Sequence, residues 1–143
     1  MAMKYTFPKT ASAGAVRICV TSAKEDEVVR VASGDVEISL GVSEPEKMTR
    51  RKLILLFRKA IALAKSKRAK RISFDMSDFL FSHLNIRENE FGELLATNFE
   101  MANFQFTEFL TEPKEGFPFV EIVEILGASK SFGEGIERGR MIG

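Results

Sequence analysis

The stretch SEPEKMTRRKLILLFRKAIALAK, residues 43–65, does most to limit what this chain can fold into. Leu53, Leu56, Phe57, Ala60, Ile61 and Ala64 recur at intervals of three and four, which gathers them on one side of an α-helix. Arg50, Arg51, Arg58 and Lys59 lie around that stripe. Ser43 and Glu46 have the spacing of a capping box, and Pro45 sits where a missing N–H costs little, so the helix is predicted to open there. The next apolar segment, RISFDM at 71–76, alternates Ile72, Phe74 and Met76, which is strand spacing. A one-sided helix feeding a strand is the unit of layered α/β domains.

The remaining segments extend this pattern. AVRICVTS (15–22) and DVEISL (35–40) alternate as strands, and EVVRVA (27–32) is ambiguous. The Ser33-Gly34-Asp35 turn suggests a hairpin between the last two. MSDFLFSHL (76–84) reads as a loop or a short turn of helix. Asn85 with Glu88 is a candidate cap for a second helix over 86–104, whose stripe is Phe91, Leu94, Leu95, Phe99 and Ala102. QFTEFLTEPKEG (105–116) is a connector, FPFVEIVEIL (117–126) a final strand, and a tail helix follows Gly127 with Ser131 and Glu134 at capping-box spacing. Strands alternating with helices predict an α/β domain with a parallel or mixed sheet.

At 143 residues the chain has the size of a single domain, spanning 1–143, with a real core. The net charge of +1 gives no bulk pull toward nucleic acid, a membrane or an acidic substrate. The longest apolar run, Leu53 to Phe57, is too short to span a bilayer. Residues 1–10 have no apolar core of a secretory signal. Cys19 is the sole cysteine, so no intrachain disulfide forms, and a reducing, cytoplasmic setting is expected.

Few residues offer chemistry. His83, the only histidine, has no spaced partner for a triad or a metal site and is expected to be structural. Cys19 lies mid-strand, where a small buried hydrophobe is expected rather than a thiolate. Glu88, Glu90, Glu93 and Glu100 suggest a solvated acidic helix face. Asp75 and Asp78 are better placed, since ligands of α/β sheets sit beyond the carboxyl ends of strands. The glycines of GASKSFGEG (127–135) suggest a phosphate cradle, but no Gly-Lys-Ser/Thr ending or GxGxxG follows. SGDV (33–36) is similar to the Gly-Asp step of macrodomains, which bind ADP-ribose, without that family's Asn-Ala-Ala-Asn run. Lys65, Lys67, Arg68, Lys70 and Arg71 form a basic cluster, expected to be a solvated helix end complementing the dipole rather than a nucleic-acid patch. No catalytic, cofactor-binding or metal-binding residue is assigned.

Several stretches together resemble the N-terminal domain of the leucyl (cytosol) aminopeptidase family. RRKLILLFRKAIALAKSKRAKRISF is similar to its first long helix and following strand. ENEFGELLATNFEMANFQFTEFLTEPKEG resembles the next block, with Phe104-Gln105-Phe106 at an aromatic step and Lys114 in the loop beyond. FVEIVEIL resembles the last strand, and IERGRMIG the start of the helix leading into the catalytic domain. The similarity spans about 50–143. It implies a macrodomain-like three-layer α/β fold, a mixed sheet flanked by helices, with 128–143 beginning a linker helix to an absent catalytic C-terminal domain. It also implies a cytoplasmic parent enzyme that releases N-terminal residues from peptides with two divalent metals, zinc or manganese, and assembles as a hexamer. The metal ligands and the Asn-Thr-Asp-Ala-Glu-Gly-Arg motif would lie outside this chain, so this domain would hold no cofactor and would serve assembly or access. With its domain partner missing, the tail helix, including Ile136 and Met141, is expected to be loosely ordered or buried against a neighbouring copy. The alternative is a free-standing macrodomain-like module that binds ADP-ribose or a nucleotide.

Overall fold

The structure is a computed structural model that describes residues 3–30, 35–104 and 119–142. Its strands are β1 (Lys4–Thr6), β2 (Val16–Thr21), β3 (Glu27–Arg30), β4 (Val36–Gly41), β5 (Arg71–Asp75) and β6 (Ile122–Leu126). Its helices are α1 (Arg50–Ser66), α2 (Glu88–Asn103) and α3 (Lys130–Ile142). The six strands form one sheet in the order β1-β6-β5-β2-β4-β3, parallel except for the antiparallel β3–β4 pair. The fold is therefore α/β with a mixed sheet. The predicted hairpin matches the antiparallel β3–β4 pair, while its turn residues 31–34 lie outside the described residues.

Register sorts the sheet into two chemically different faces. Val16, Ile72 and Val123 stand side by side, as do Ile38 with Ile18 and Phe74 with Ile125, and together they make one apolar face. On the other face Glu37, Arg17, Ser73 and Glu124 form a polar row.

Topology decides what covers each face. The β4–α1–β5 and β5–α2–β6 crossovers step in the same direction along the sheet, so right-handed connections put both helices on one side. The β1–β2 connection steps the opposite way and must pass across the other side. There Ser12 donates its N–H to Glu124 at 2.9 Å and its hydroxyl to the same carboxylate. The three layers are thus helices, sheet and this crossover segment.

The core lies between helices and apolar face and is built on phenylalanine. The Phe57 ring of α1 sits 5.6, 5.7 and 5.9 Å from Phe79, Phe91 and Phe99. Phe74 of β5 joins at 5.1 Å from Phe79 and 5.8 Å from Phe99. Phe132 of α3 reaches Phe91 at 5.7 Å. All six predicted stripe residues of α1 are buried.

Several boundaries differ from the sequence reading. Ser43 and Glu46 do not cap α1; Pro45–Lys47 is a separate 3-10 turn, and the hydroxyl of Thr49 accepts the Lys52 N–H at 3.2 Å. Asn85 does not cap α2 either; it takes a left-handed turn at φ 52°, and Glu88 instead accepts the Ser129 hydroxyl at 2.6 Å. That same Ser129 oxygen accepts the Phe132 N–H at 3.1 Å, so Ser129, not Ser131, opens α3. The last strand starts at Ile122 because the backbone before it is committed elsewhere. Asn103 bonds both the N–H and the carbonyl of Val120 at 2.8 Å, and the amides of Glu121 and Ile122 donate to the Lys70 carbonyl. The short strand β1 has no alternating pattern and was not predicted. The predicted connector 105–116, with Phe106 and Lys114, lies outside the described residues.

The largest correction concerns the tail helix. It does not wait for a partner to bury Ile136, because Phe132 and Ile136 are fully buried within this domain. Gly92, Gly135 and Gly139 let α2 and α3 cross at backbone contact. A Cβ at Gly135 would lie 1.9 Å from the Asn89 carbonyl oxygen, and one at Gly139 2.4 Å from that of Glu93. Met141 alone fits the expectation of an uncovered apolar residue, being largely exposed.

Candidate functional site

The carboxyl end of the sheet is where an α/β domain of this kind would place a ligand. Of the residues singled out in the sequence, Asp75, Asp78 and Gly127 come together there. Asp75 ends β5, and its Oδ1 accepts the Ser77 N–H at 3.0 Å and the Ser77 hydroxyl at 2.7 Å. It thereby caps the 3-10 turn Met76–Phe79. Gly127 turns the chain after β6 at φ 71°, and a Cβ there would approach Asp75 Oδ1 to 3.4 Å. Burial, then the neighbouring Asp75 charge, push the Asp78 carboxyl up from its ordinary value. Two close carboxylates can hold a proton or a cation, yet among the described residues no three His, Cys, Asp or Glu side chains gather as a metal site would require.

Cys19 lies on the polar face beside this end. Its Sγ is 3.4 Å from Ser39 Oγ and 3.6 Å from the Glu37 carboxylate, and burial pushes its thiol up. A thiol donating to a carboxylate stays protonated and is a poor nucleophile. It is half-buried and polar in its contacts rather than the small core hydrophobe expected. His83 bonds the Met48 carbonyl through Nε2 at 2.8 Å, tying the turn Ser82–Leu84 to the entrance of α1. A carbonyl only accepts, so Nε2 carries the proton.

The acidic face of α2 divides. Glu90 pairs with Arg50 at 3.5 Å and Glu93 with Arg138 at 3.8 Å at the surface. Glu100 is 2% exposed and is not solvated as expected. Its two oxygens accept the Met3 N–H at 3.2 Å and the Tyr5 hydroxyl at 3.1 Å, fastening β1 to α2. Burial raises both its carboxyl and the Tyr5 phenol above their ordinary values, the Glu100 charge adding to the latter.

The basic cluster divides as well. Lys65 donates to the carbonyls of Ala102 and Asn103 at 3.1 and 3.0 Å, closing the end of α2, and stands 5.6 Å over the Phe119 ring. Its cation thus sits in the last turn of α1 as expected, and it complements the end of α2 as well. Arg71 reaches Glu124 at 3.2 Å.

Glu124 is the buried charge that the sequence reading passed over, though a carboxylate inside the apolar run FVEIVEIL needs partners. It is 3% exposed. Burial pushes it up, but the Ser12 hydroxyl and amide and the Arg71 guanidinium outweigh that and hold it below its ordinary value.

Of the two glycine motifs, SGDV runs into residues 33–34, outside the described region. In GASKSFGEG Gly127 serves a turn and Gly135 the α2–α3 crossing, while a Cβ at Gly133 would meet only the Phe7 ring.

No protein-family model matches the sequence, and no curated protein matches it significantly. Solved structures do match the fold. A mutant of tomato leucine aminopeptidase superposes with a TM-score of 0.66 at 16% identity, over 94% of this chain and 35% of that one. The bottromycin maturation enzyme BotP superposes with a TM-score of 0.60 at 14% identity, over 89% of this chain and 30% of that one. The chain therefore spans about a third of the length of these structures.

Proposed function

We propose that this chain is the N-terminal, non-catalytic domain of a leucyl aminopeptidase-type metalloenzyme. One observation carries the reading: almost the whole chain superposes on about a third of an aminopeptidase. The resemblance over residues 50–143 supports the same reading independently of the coordinates. The parent would be a cytoplasmic enzyme that removes N-terminal residues from peptides. Its two divalent metals, activating water and polarising the scissile carbonyl, would be held by a second domain. On this reading α3 begins the connection to that domain, and hexamer assembly belongs to the whole polypeptide.

The present chain would contribute a rigid body to assembly or to access. The α2–α3 crossing suits that role, because a connecting helix locked to the core fixes the direction in which the next domain leaves. No observation favours the ADP-ribose alternative. The test is release of leucine from a leucyl amide by this chain with manganese or zinc added. The reading predicts no turnover above buffer, and sustained metal-dependent turnover would overturn it.

A further inference from the structure

A cavity of about 320 Å³ lies just past the carboxyl end of β4, between residues 41–48 and the flank of α1. The α1 side is the stripe Lys52, Leu55, Leu56 and Lys59, and Lys47 faces it across the opening. Three lysines and a single acid, Glu44, thus line it. Lys47 is held by Glu44 at 2.7 Å and Lys59 by Asp26 at 3.1 Å. Asp26 is itself fixed by the Gly41 N–H at 2.8 Å. Lys52 has no carboxylate partner among the described residues. Between the lysines the lining is aliphatic: Val42, Met48, Leu55 and Leu56. Leu55 is 54% exposed and lies between Lys52 and Lys59 along α1.

The surroundings sharpen the charge. The first turn of α1 holds Arg50, Arg51 and Lys52 and no acid, opposite to the carboxylates that complement this end of a helix. Residues 48–71 contain no Asp or Glu at all. Within that turn Arg50 is met by Glu90 at 3.5 Å, whereas no acid meets Lys52 among the described residues.

We propose that this cavity binds a small amphiphilic anion, an aliphatic carboxylate whose chain lies on Leu55, Leu56 and Val42 and whose charge is met by Lys52. The site stands apart from the aminopeptidase reading and survives its failure. An aliphatic chain there covers Leu55, and the carboxylate gives Lys52 the partner it lacks.

The test is an amide chemical-shift titration of the full chain with octanoate, compared with hexanol and with acetate. Octanoate is expected to saturate and to move Gly41, Ser43, Lys52 and Leu55 together, with acetate and hexanol each at least about tenfold weaker. Lys52→Met and Leu55→Ser are each expected to weaken octanoate about tenfold or more. Both residues are exposed, so both variants keep the fold. Absence of saturation, shifts that map elsewhere, equal binding of acetate, or unchanged affinity in Lys52→Met would each overturn the proposal.

Discussion

Two buried carboxylates give the domain opposite responses to pH. Glu124 is held below its ordinary value, so its contribution to stability is complete above that value and is lost as pH falls through the lowered one. Glu100 is raised, so its contribution is complete at low pH and is lost as pH rises through the raised value. Urea midpoints measured against pH should therefore lose their acid-side decline in Glu124→Gln and their decline toward neutrality in Glu100→Gln. Profiles parallel to the parent in both variants would show that neither carboxylate governs stability. Glu124→Ala should also cost on the order of 1–3 kcal/mol, because the Ser12 donors lose their acceptor. Neither role was legible in the sequence as read. A glutamate in a strand signals a partner, but Ser12 lies 112 positions away and only the crossover topology brings it under the sheet.

At the scale of elements, the apolar stripe of α1 and the alternation in β2, β4 and β5 are local signals, and the sequence carries them faithfully. Caps were misplaced because Ser43, Asn85 and Ser131 each have a glutamate three positions on, whereas Thr49 and Ser129, which do cap, are followed there by Lys52 and Phe132. The choice between them depends on tertiary contacts, such as Glu88 taking the Ser129 hydroxyl. The α2–α3 crossing was illegible for a similar reason. A glycine in a helix weakens it unless another backbone needs the space, and only the structure shows that Asn89 and Glu93 do. Gly135→Ala and Gly139→Ala should each destabilise by about 1–3 kcal/mol or more by forcing the helices apart. Gly133→Ala is the control. A Cβ there meets only the Phe7 ring at 3.8 Å, and the change should stabilise by about 0.5–1 kcal/mol. Equal thermal shifts for all three would contradict the close crossing. Phe57→Ala, at the centre of the ring cluster, should cost about 3–5 kcal/mol.

For the whole molecule, the glycine contacts and buried Phe132 and Ile136 make α3 part of the domain's core. Hydrogen exchange should show its central amides as protected as those of β5 and β6; exchange as fast as in a frayed terminus would mean that α3 is only loosely attached. A docked helix whose exposed Met141 points away from that core is consistent with a junction to a second body. The central claim is that the chemistry lies in such a body, beyond this domain. The most direct measurement is the nucleotide sequence that follows the codon for Gly143 in the source gene. The account predicts an open frame that continues into a second domain carrying an Asn-Thr-Asp-Ala-Glu-Gly-Arg motif. A stop codon at that point would contradict it.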